Sequence, residues 1–232
     1  MLFLLTGAVQ TGKTRWLERL VVELAAEGVP CGGVLAPGVW RRREESGAEV
    51  DVRERPLGSG AGEFEKLGID NVLLPGGERV TFARRCDLAQ REGVLDPYSQ
   101  SATAGLAWEI DEAALTRVNA HFDALAHRAP FVTPSATSPT TSNLARPCLL
   151  VVDELGRLEL QRNGGLTSAM ALLARGATAA CPHALVVVRA SLRARAEERF
   201  AAAWGGCVPL TPGEEARTTV RRAFSLASLN DN

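Results

Sequence analysis

The apolar residues of this chain fall into two kinds of segment. Short continuous apolar runs, which are typical of strands buried on both faces of a parallel sheet, predict strands at 2–6, 31–40, 148–154, 184–188 and 207–210. Apolar residues that recur every three or four positions predict helices at 13–27, 111–127 and 163–175, from Ser191 onward, and after Thr211. Strands that alternate with helices predict an α/β fold, in which a mainly parallel sheet carries helices on both faces.

Local signals at the helix ends support these boundaries. Gly28 and Pro30 are expected to end the first helix, and Asp111 to cap the helix that follows it. Ser191 is expected to cap the helix after the strand at 184–188. The last helix is predicted to open with a capping box, Thr211-Pro212-Gly213-Glu214, in which proline takes the first helical position.

The middle of the chain has a weaker pattern. The segment Glu49 to Arg55 alternates polar and apolar residues, and with the strand at 31–40 it predicts a small β-hairpin embellishment. Short strands are expected at 78–83 and 105–110, whereas 56–77 gives no prediction. The Pro, Ser and Thr content of 130–147 indicates a mobile surface loop or an inserted linker. We therefore interpret 1–232 as a single domain with an inserted or irregular region at about 58–147.

Composition narrows the class of protein. The chain has 232 residues, of which 46% are hydrophobic and 23% charged, and its net charge is −1, as in ordinary globular proteins. This balance gives no reason to expect a nucleic-acid or membrane partner, while a protein partner stays open. The five cysteines form no C-x-x-C pair, and the apolar N-terminus lacks the basic residues of a signal peptide. We expect a cytoplasmic protein with reduced thiols.

The glycine-rich segment between the first strand and the first helix has the spacing of a phosphate-binding loop, G-x-x-x-x-G-K-[ST]. Backbone N–H groups of such a loop surround the phosphates, Lys13 reaches the β and γ oxygens, and the Thr14 hydroxyl can ligate Mg²⁺. The chain has only two lysines, Lys13 and Lys66, against 24 arginines, and one of them occupies this motif. The predicted nucleotide-binding residues are Gly7, Ala8, Val9, Gln10, Thr11, Gly12, Lys13, Thr14 and Arg15.

Two acidic residues end the buried strand at 148–154. Asp153 can hold Mg²⁺ opposite Thr14, because ligands of open α/β sheets bind at the carboxyl ends of the strands. Glu154 can accept a proton from an attacking water, which a hydrolase requires and a nucleotide kinase does not. The sequence thus predicts Mg²⁺ and a nucleoside triphosphate such as ATP or GTP as ligands.

The segment from Asp153 to Leu160, Asp-Glu-Leu-Gly-Arg-Leu-Glu-Leu, resembles the Asp-Glu-Ile-Gly-Lys-Met-Glu-Leu segment of the Thep-type P-loop nucleoside-triphosphatases, which include cancer-related nucleoside-triphosphatase-like proteins. Further similarity lies in Gly32-Gly33-Val34 with Val39-Trp40-Arg41, in Glu49 to Arg55, and in Val208 to Thr211. It covers most of 1–58 and 148–226. Departures from the family are Arg15 for a second threonine, Arg157-Leu158 for Lys-Met, and a longer span between about 60 and 147.

The resemblance implies a P-loop NTPase fold and the Mg²⁺-dependent hydrolysis of nucleoside 5′-triphosphates to diphosphate and phosphate, with broad base preference. Hydrolysis also needs a cation for the charge that develops on the γ-phosphoryl oxygens. Arg157 is favoured because it matches the family's lysine, and the other candidates are Arg189, Arg193 and Arg195. A surface pairing of Arg157 with Glu159 is the alternative. The predicted catalytic residues are Glu154, Lys13 and Arg157.

Two other functions fit the same motifs. One is a nucleoside or nucleotide kinase that uses 130–147 as a lid, although that segment contains a single arginine, Arg146. The other is a nucleotide-dependent switch or assembly factor with slow NTPase activity. Both need the same phosphate-binding residues, so the sequence leaves them open.

Overall fold

The structure is a computed structural model that describes residues 1–8, 11–43, 50–52, 63–127 and 146–226. The strands are β1 Leu2–Leu5, β2 Cys31–Leu35, β3 Gly38–Arg42, β4 Val50–Val52, β5 Phe64–Leu74, β6 Glu78–Arg85, β7 Trp108–Ile110, β8 Leu149–Leu155, β9 His183–Val188 and β10 Cys207–Leu210. The α-helices are α1 Lys13–Ala26, α2 Cys86–Arg91, α3 Gln100–Thr103, α4 Glu112–His127, α5 Arg157–Arg162, α6 Thr167–Arg175, α7 Arg193–Phe200 and α8 Glu214–Ala223. None of the helices in the described ranges combines the length and the apolar character needed to cross a lipid bilayer.

Five parallel strands form one half of the sheet, in the order β10-β1-β9-β8-β2. All residues of β1 and β2 are buried, as are all but one in β8 and in β9, which explains why these segments are continuously apolar. Because β9 lies between β1 and β8, the residue that follows β9 lies between the loops that follow β1 and β8.

An antiparallel half extends the sheet beyond β2. β5 pairs with β2 through its last residues and with β3 through its first residues, and β6 pairs with β5. β4 and β7 lie at the outside, next to β3 and β6. The β3–β4 pairing confirms the predicted hairpin, but this half of the sheet is much larger than a hairpin.

Helices cover both faces of the sheet, as predicted. On one face, Leu2 and Leu4 pack in a cluster with the buried sides of α4, α6 and α7. On the other, Phe3 and Leu5 pack in a cluster with the buried sides of α1 and α8. The alternation along β1 thus sends successive side chains into two cores.

The structure corrects several boundaries. The predicted strand at 31–40 is divided into β2 and β3 at Ala36-Pro37, and only β2 pairs with β8. β5 and α5 were not predicted, and the helix expected at 163–175 begins only at Thr167. The helix after β9 begins at Arg193 without a side-chain cap, since Ser191 lies in a preceding 3₁₀ turn. α8 begins at Glu214, so Pro212 precedes it and the expected capping box does not form.

Other expectations are confirmed or lie outside the described residues. Asp111 caps α4, because its Oδ1 accepts a hydrogen bond from the N–H of Ala114 at 2.7 Å. All five cysteines are free thiols. Residues 130–145 of the predicted mobile loop lie outside the described residues. The same is true of residues 53–55, the end of the strand that was predicted to reach Arg55.

Candidate functional site

The phosphate-binding loop lies between β1 and α1, at the carboxyl end of β1. Gly12 has a φ of 82° at the N-terminus of α1, a conformation that glycine adopts without strain. The Lys13 ammonium donates hydrogen bonds to the carbonyl oxygens of Gly7 at 3.1 Å and Ala8 at 2.7 Å. The Thr11 hydroxyl donates to the same Ala8 oxygen at 2.9 Å. The lysine side chain therefore folds back onto the start of the loop; Val9 and Gln10 lie outside the described residues.

Asp153 meets this loop from the other side. It lies in β8, is buried, and its Oδ2 accepts a hydrogen bond from the N–H of Ala36 at 2.9 Å. The Thr14 side chain is the other polar group that acts on the carboxylate. Burial raises the pKa of Asp153 to about 6, while the Ala36 N–H and the Thr14 side chain act in the opposite direction. The break between β2 and β3 thus helps to position Asp153, because Ala36, which lies in this break, donates its backbone N–H to the carboxylate.

The contact between Thr14 and Asp153 brings together two hard oxygen donors, which are the ligand type that Mg²⁺ prefers. Among the described residues there is no group of three or more His, Cys, Asp or Glu side chains that could hold a metal ion. Magnesium in nucleotide sites is usually held by one or two protein oxygens together with phosphate oxygens and water. The donor set therefore fits a magnesium ion that binds with the nucleotide.

Glu154 follows Asp153 in the sequence, but its side chain is exposed, whereas that of Asp153 is buried. Its φ of 78° is unusual for a residue with a side chain, and the pairing of β8 with β9 is irregular between Val152 and Leu155. The local twist exposes the carboxylate at the edge of the sheet, where Oε1 accepts from Nε of Arg189 at 3.4 Å and from Nη2 at 3.3 Å. Backbone strain at such a position is often found at functional sites.

The structure separates the four candidate arginines. Arg189 directly follows β9 and therefore lies beside Glu154, between the loops after β1 and β8. Arg157 begins α5, is exposed, and donates to the carbonyl oxygen of Gly105 at 3.4 Å. Arg193 pairs with Glu197 on its own helix at 3.8 Å, and Arg195 donates to the Leu160 carbonyl at 3.3 Å.

Glu159 has a structural position and does not pair with Arg157 in the part of the chain that the structure describes. It is buried, its Oε2 accepts from the N–H of Gly156 at 2.8 Å, and its Oε1 accepts from the N–H of Leu166 at 3.3 Å. Burial raises the pKa of its carboxyl group, and the backbone N–H groups oppose that rise. These bonds fix the turn that leads from Glu154 into α5.

Sequence reasoning missed one charged residue of this region, Lys66 in β5. Its ammonium interacts electrostatically with Glu154, Asp153 and Arg189. The available signal was composition, since Lys66 is the second of only two lysines. Its location could not be inferred because β5 itself was not predicted.

Comparison with known proteins bears on the fold. No family model matches the sequence, and no curated protein matches it. Among solved structures, the solution structure of a human cancer-related nucleoside triphosphatase matches with a TM-score of 0.50 and 16% sequence identity, over 96% of this chain and 94% of that chain. At this identity the likeness shows the fold. It confirms the predicted P-loop NTPase fold and, at the level of structure, the resemblance noted in the sequence.

Proposed function

We propose that this protein hydrolyses nucleoside triphosphates to diphosphate and phosphate. The observation that carries the proposal is the meeting of Lys13, Thr14 and buried Asp153 at one edge of the sheet, with Glu154 exposed beside them. A site that only bound phosphate would need the loop alone. The likeness to a nucleoside triphosphatase in fold agrees with this function.

The phosphate loop has the role of holding the substrate. Backbone N–H groups of the loop and of the first turn of α1 bind phosphate oxygens, and the N-terminus of the helix favours their negative charge. Lys13, which now donates to loop carbonyls, exchanges those bonds for β and γ oxygens when nucleotide binds. Thr14 and Asp153 would hold Mg²⁺, which would neutralise phosphate charge when bound.

Glu154 is the proposed general base. Arg189 holds Oε1, and Oε2 has no partner among the described residues, so Oε2 is available to accept a proton from a water molecule. Arg189 is therefore a positioning residue for Glu154. Arg157 remains the proposed cation for the terminal phosphoryl charge on the basis of the family resemblance, and it must exchange its bond to Gly105 for this role.

The proposed substrate class is broad, because the contacts argued above are all to the triphosphate and Mg²⁺. The measurement that separates this function from its alternatives is phosphate release from a panel of nucleoside triphosphates with Mg²⁺. Release without an added acceptor excludes a kinase. A turnover number that no partner changes argues against a switch.

Replacing Glu154 tests the general base. Glu154→Gln keeps the shape of the side chain but cannot accept the proton, so we expect turnover to fall roughly 10²- to 10⁴-fold while the affinity for a non-hydrolysable triphosphate stays close to that of the wild type. Glu198→Gln makes the same change on the exposed side of α7 and should leave both unchanged. Wild-type turnover in Glu154→Gln would refute the assignment of the base.

A further inference from the structure

Lys66 lies in the part of β5 that extends past the carboxyl end of β2. The antiparallel register places Leu35 opposite Val72, so the residues of β5 before Val72 run beyond the end of β2 and pair with β3. Lys66 is paired with Trp40 in this extension. The carboxyl end of β2 is also the edge at which Thr14, Asp153 and Glu154 meet, since β2 and β8 are parallel neighbours. The fold thus brings the second lysine to the same edge as the first.

The surroundings of the Lys66 side chain are shaped to receive it. Gly38 is the residue that makes room, because a Cβ built there would lie 2.8 Å from Lys66 Cε and 2.7 Å from Trp40 Nε1. On another side, Lys66 Nζ lies 4.9 Å from the centroid of the Trp108 ring, which is a cation–π distance. Gly38 and the Trp108 ring therefore restrict the Lys66 side chain before any ligand binds. Such a side chain loses little conformational entropy when its ammonium binds an anion.

The charge of Lys66 is only partly compensated. The residue is half-buried, and burial lowers the pKa of its ammonium, whereas Glu154 and Asp153 raise it. Among the described residues, no carboxylate forms a direct ion pair with Lys66. Glu154 and Asp153 act on its ammonium electrostatically without such a pair. A partly desolvated cation without a paired anion is costly unless a ligand supplies the missing charge.

We propose, building on the function proposed above, that Lys66 is a second phosphate-binding cation, which contacts the terminal phosphoryl group of a bound nucleoside triphosphate. Lys13 would then bind the triphosphate from the loop after β1, and Lys66 from the antiparallel half of the sheet. Lysine suits this task because its compact ammonium binds a phosphate as a point charge and does not require the bidentate geometry of a guanidinium. The consequence is selectivity for triphosphates over diphosphates, since a diphosphate lacks the group that Lys66 contacts.

The chain's two lysines allow a direct test on the unmodified protein. An amine-acylating reagent, with mass spectrometry as the readout, measures the modification rates of Lys13 and Lys66 separately. With Mg²⁺, a non-hydrolysable triphosphate analogue should protect both lysines, and a diphosphate should protect Lys13 alone. Protection of Lys13 without Lys66 by the triphosphate analogue would overturn the proposal, and equal protection of Lys66 by both nucleotides would overturn it too.

Substitution gives a second, independent measurement. By calorimetric titration, Lys66→Gln should weaken binding of the triphosphate analogue roughly 10- to 100-fold and leave diphosphate binding within about threefold, because the lost contact is one charge-assisted hydrogen bond. Lys66→Arg should recover most of the triphosphate affinity. Arg84→Gln, which removes an exposed cation from neighbouring β6, is the matched control and should change neither affinity.

These measurements do not depend on turnover. If Lys66→Gln loses affinity for both nucleotides equally, or for neither, Lys66 is a structural residue and the proposal is wrong. If the triphosphate selectivity is lost as expected but the wild type releases no phosphate from any triphosphate, the hydrolytic function fails and the binding role of Lys66 stands.

Discussion

Gly33 lies in β2 at a point where this strand passes close to β8. Its φ is 125°, and a Cβ built on it would lie 1.9 Å from the carbonyl oxygen of Val151. The two strands are parallel neighbours in which Gly33 is paired with Val151, two residues before Asp153. Glycine is therefore required at this position both by conformation and by space, and the position of Asp153 depends on it.

Alanine at this position is expected to be strongly destabilising. Gly33→Ala should lower the free energy of unfolding by about 3 kcal/mol, because the backbone strain and the clash with β8 add. Gly93→Ala is the control: its φ is 71° but nothing lies within 4 Å of its Cβ position, so it should cost only about 1–2 kcal/mol. Urea denaturation measures both. Equal losses in the two variants would show that the strands are not in close approach at Gly33.

At the scale of the element, the sequence predicts best what is buried on both faces. β1, β8 and β9 are continuous apolar runs because helices cover both sides of them, and their predicted bounds differ from the structure by one residue. α4 is equally clear, because it has an apolar stripe and a capping aspartate. In each case the local sequence pattern and the burial of the element in the fold favour the same secondary structure.

β5 shows why other elements could not be predicted. Its residues do not alternate, and it has polar Asp70 and Asn71 buried at its centre. Asp70 is compensated by Arg79 of β6, with Oδ2 at 3.1 Å from Nη1, a partner that only the folded sheet provides. Gly68, where a Cβ would lie 2.6 Å from the Ala83 carbonyl oxygen, looks like a strand breaker in the sequence although it is needed for the pairing of β5 with β6.

His183 connects three elements at the other end of the parallel strands. It begins β9, its Nε2 lies 3.1 Å from the carbonyl oxygen of Ala223 at the end of α8, and its ring contacts Phe224 and Phe3 at centroid distances of 4.9 and 5.9 Å. The bond to a carbonyl requires the proton on Nε2. Nδ1 is then a buried acceptor, and it has no partner among the described residues. Burial lowers the pKa of His183, and the N-terminal ammonium lowers it further.

This arrangement predicts a pH dependence of stability. Because the pKa is lower in the folded state than in the unfolded state, the unfolded state takes up the proton first as the pH falls below about 6.5. The contribution of His183 to the free energy of unfolding should therefore decrease as the pH falls from about 6.5 to the lowered pKa, by at most about 1.4 kcal/mol per pH unit; Asp153, whose pKa is raised, acts in the opposite direction in both the wild type and the variant. His183→Gln should show a smaller decrease between these limits in urea titrations, and His127→Gln, at an exposed site on α4, should follow the wild type. A wild-type slope in His183→Gln would contradict this account.

On the scale of the whole molecule, the residues that meet at the candidate site come from both halves of one sheet. The sequence predicts the members of linear motifs, Gly7 to Thr14 and Asp153-Glu154, because their spacing alone indicates their chemistry. It does not predict which distant cations join them. Arg189 lies beside Glu154 because β9 is between β1 and β8, and Lys66 reaches this edge because β5 is antiparallel to β2. Strand order is a property of the assembled sheet and leaves no local pattern.

β2 is the strand that joins the two halves, since it pairs with β8 on one edge and with β5 on the other. Losing its pairing on either edge would expose its buried residues, so we expect the parallel and antiparallel halves to unfold together as the single domain predicted from the sequence. Binding of a ligand to the folded state alone should then stabilise both halves by the same free energy, including strands that do not touch the nucleotide.

Native-state hydrogen exchange tests this coupling. With Mg²⁺ and a non-hydrolysable triphosphate at about 100 times its Kd, the free energy of opening should rise by about 2.7 kcal/mol for the slowest amides of β8 and β9 and equally for those of β5 and β6. Removing Mg²⁺ with a chelator should greatly reduce the rise in both, because Thr14 and Asp153 are the proposed ligands. A rise confined to β8 and β9 would show that the antiparallel half opens independently, in which case the chain would contain two folding units joined at β2.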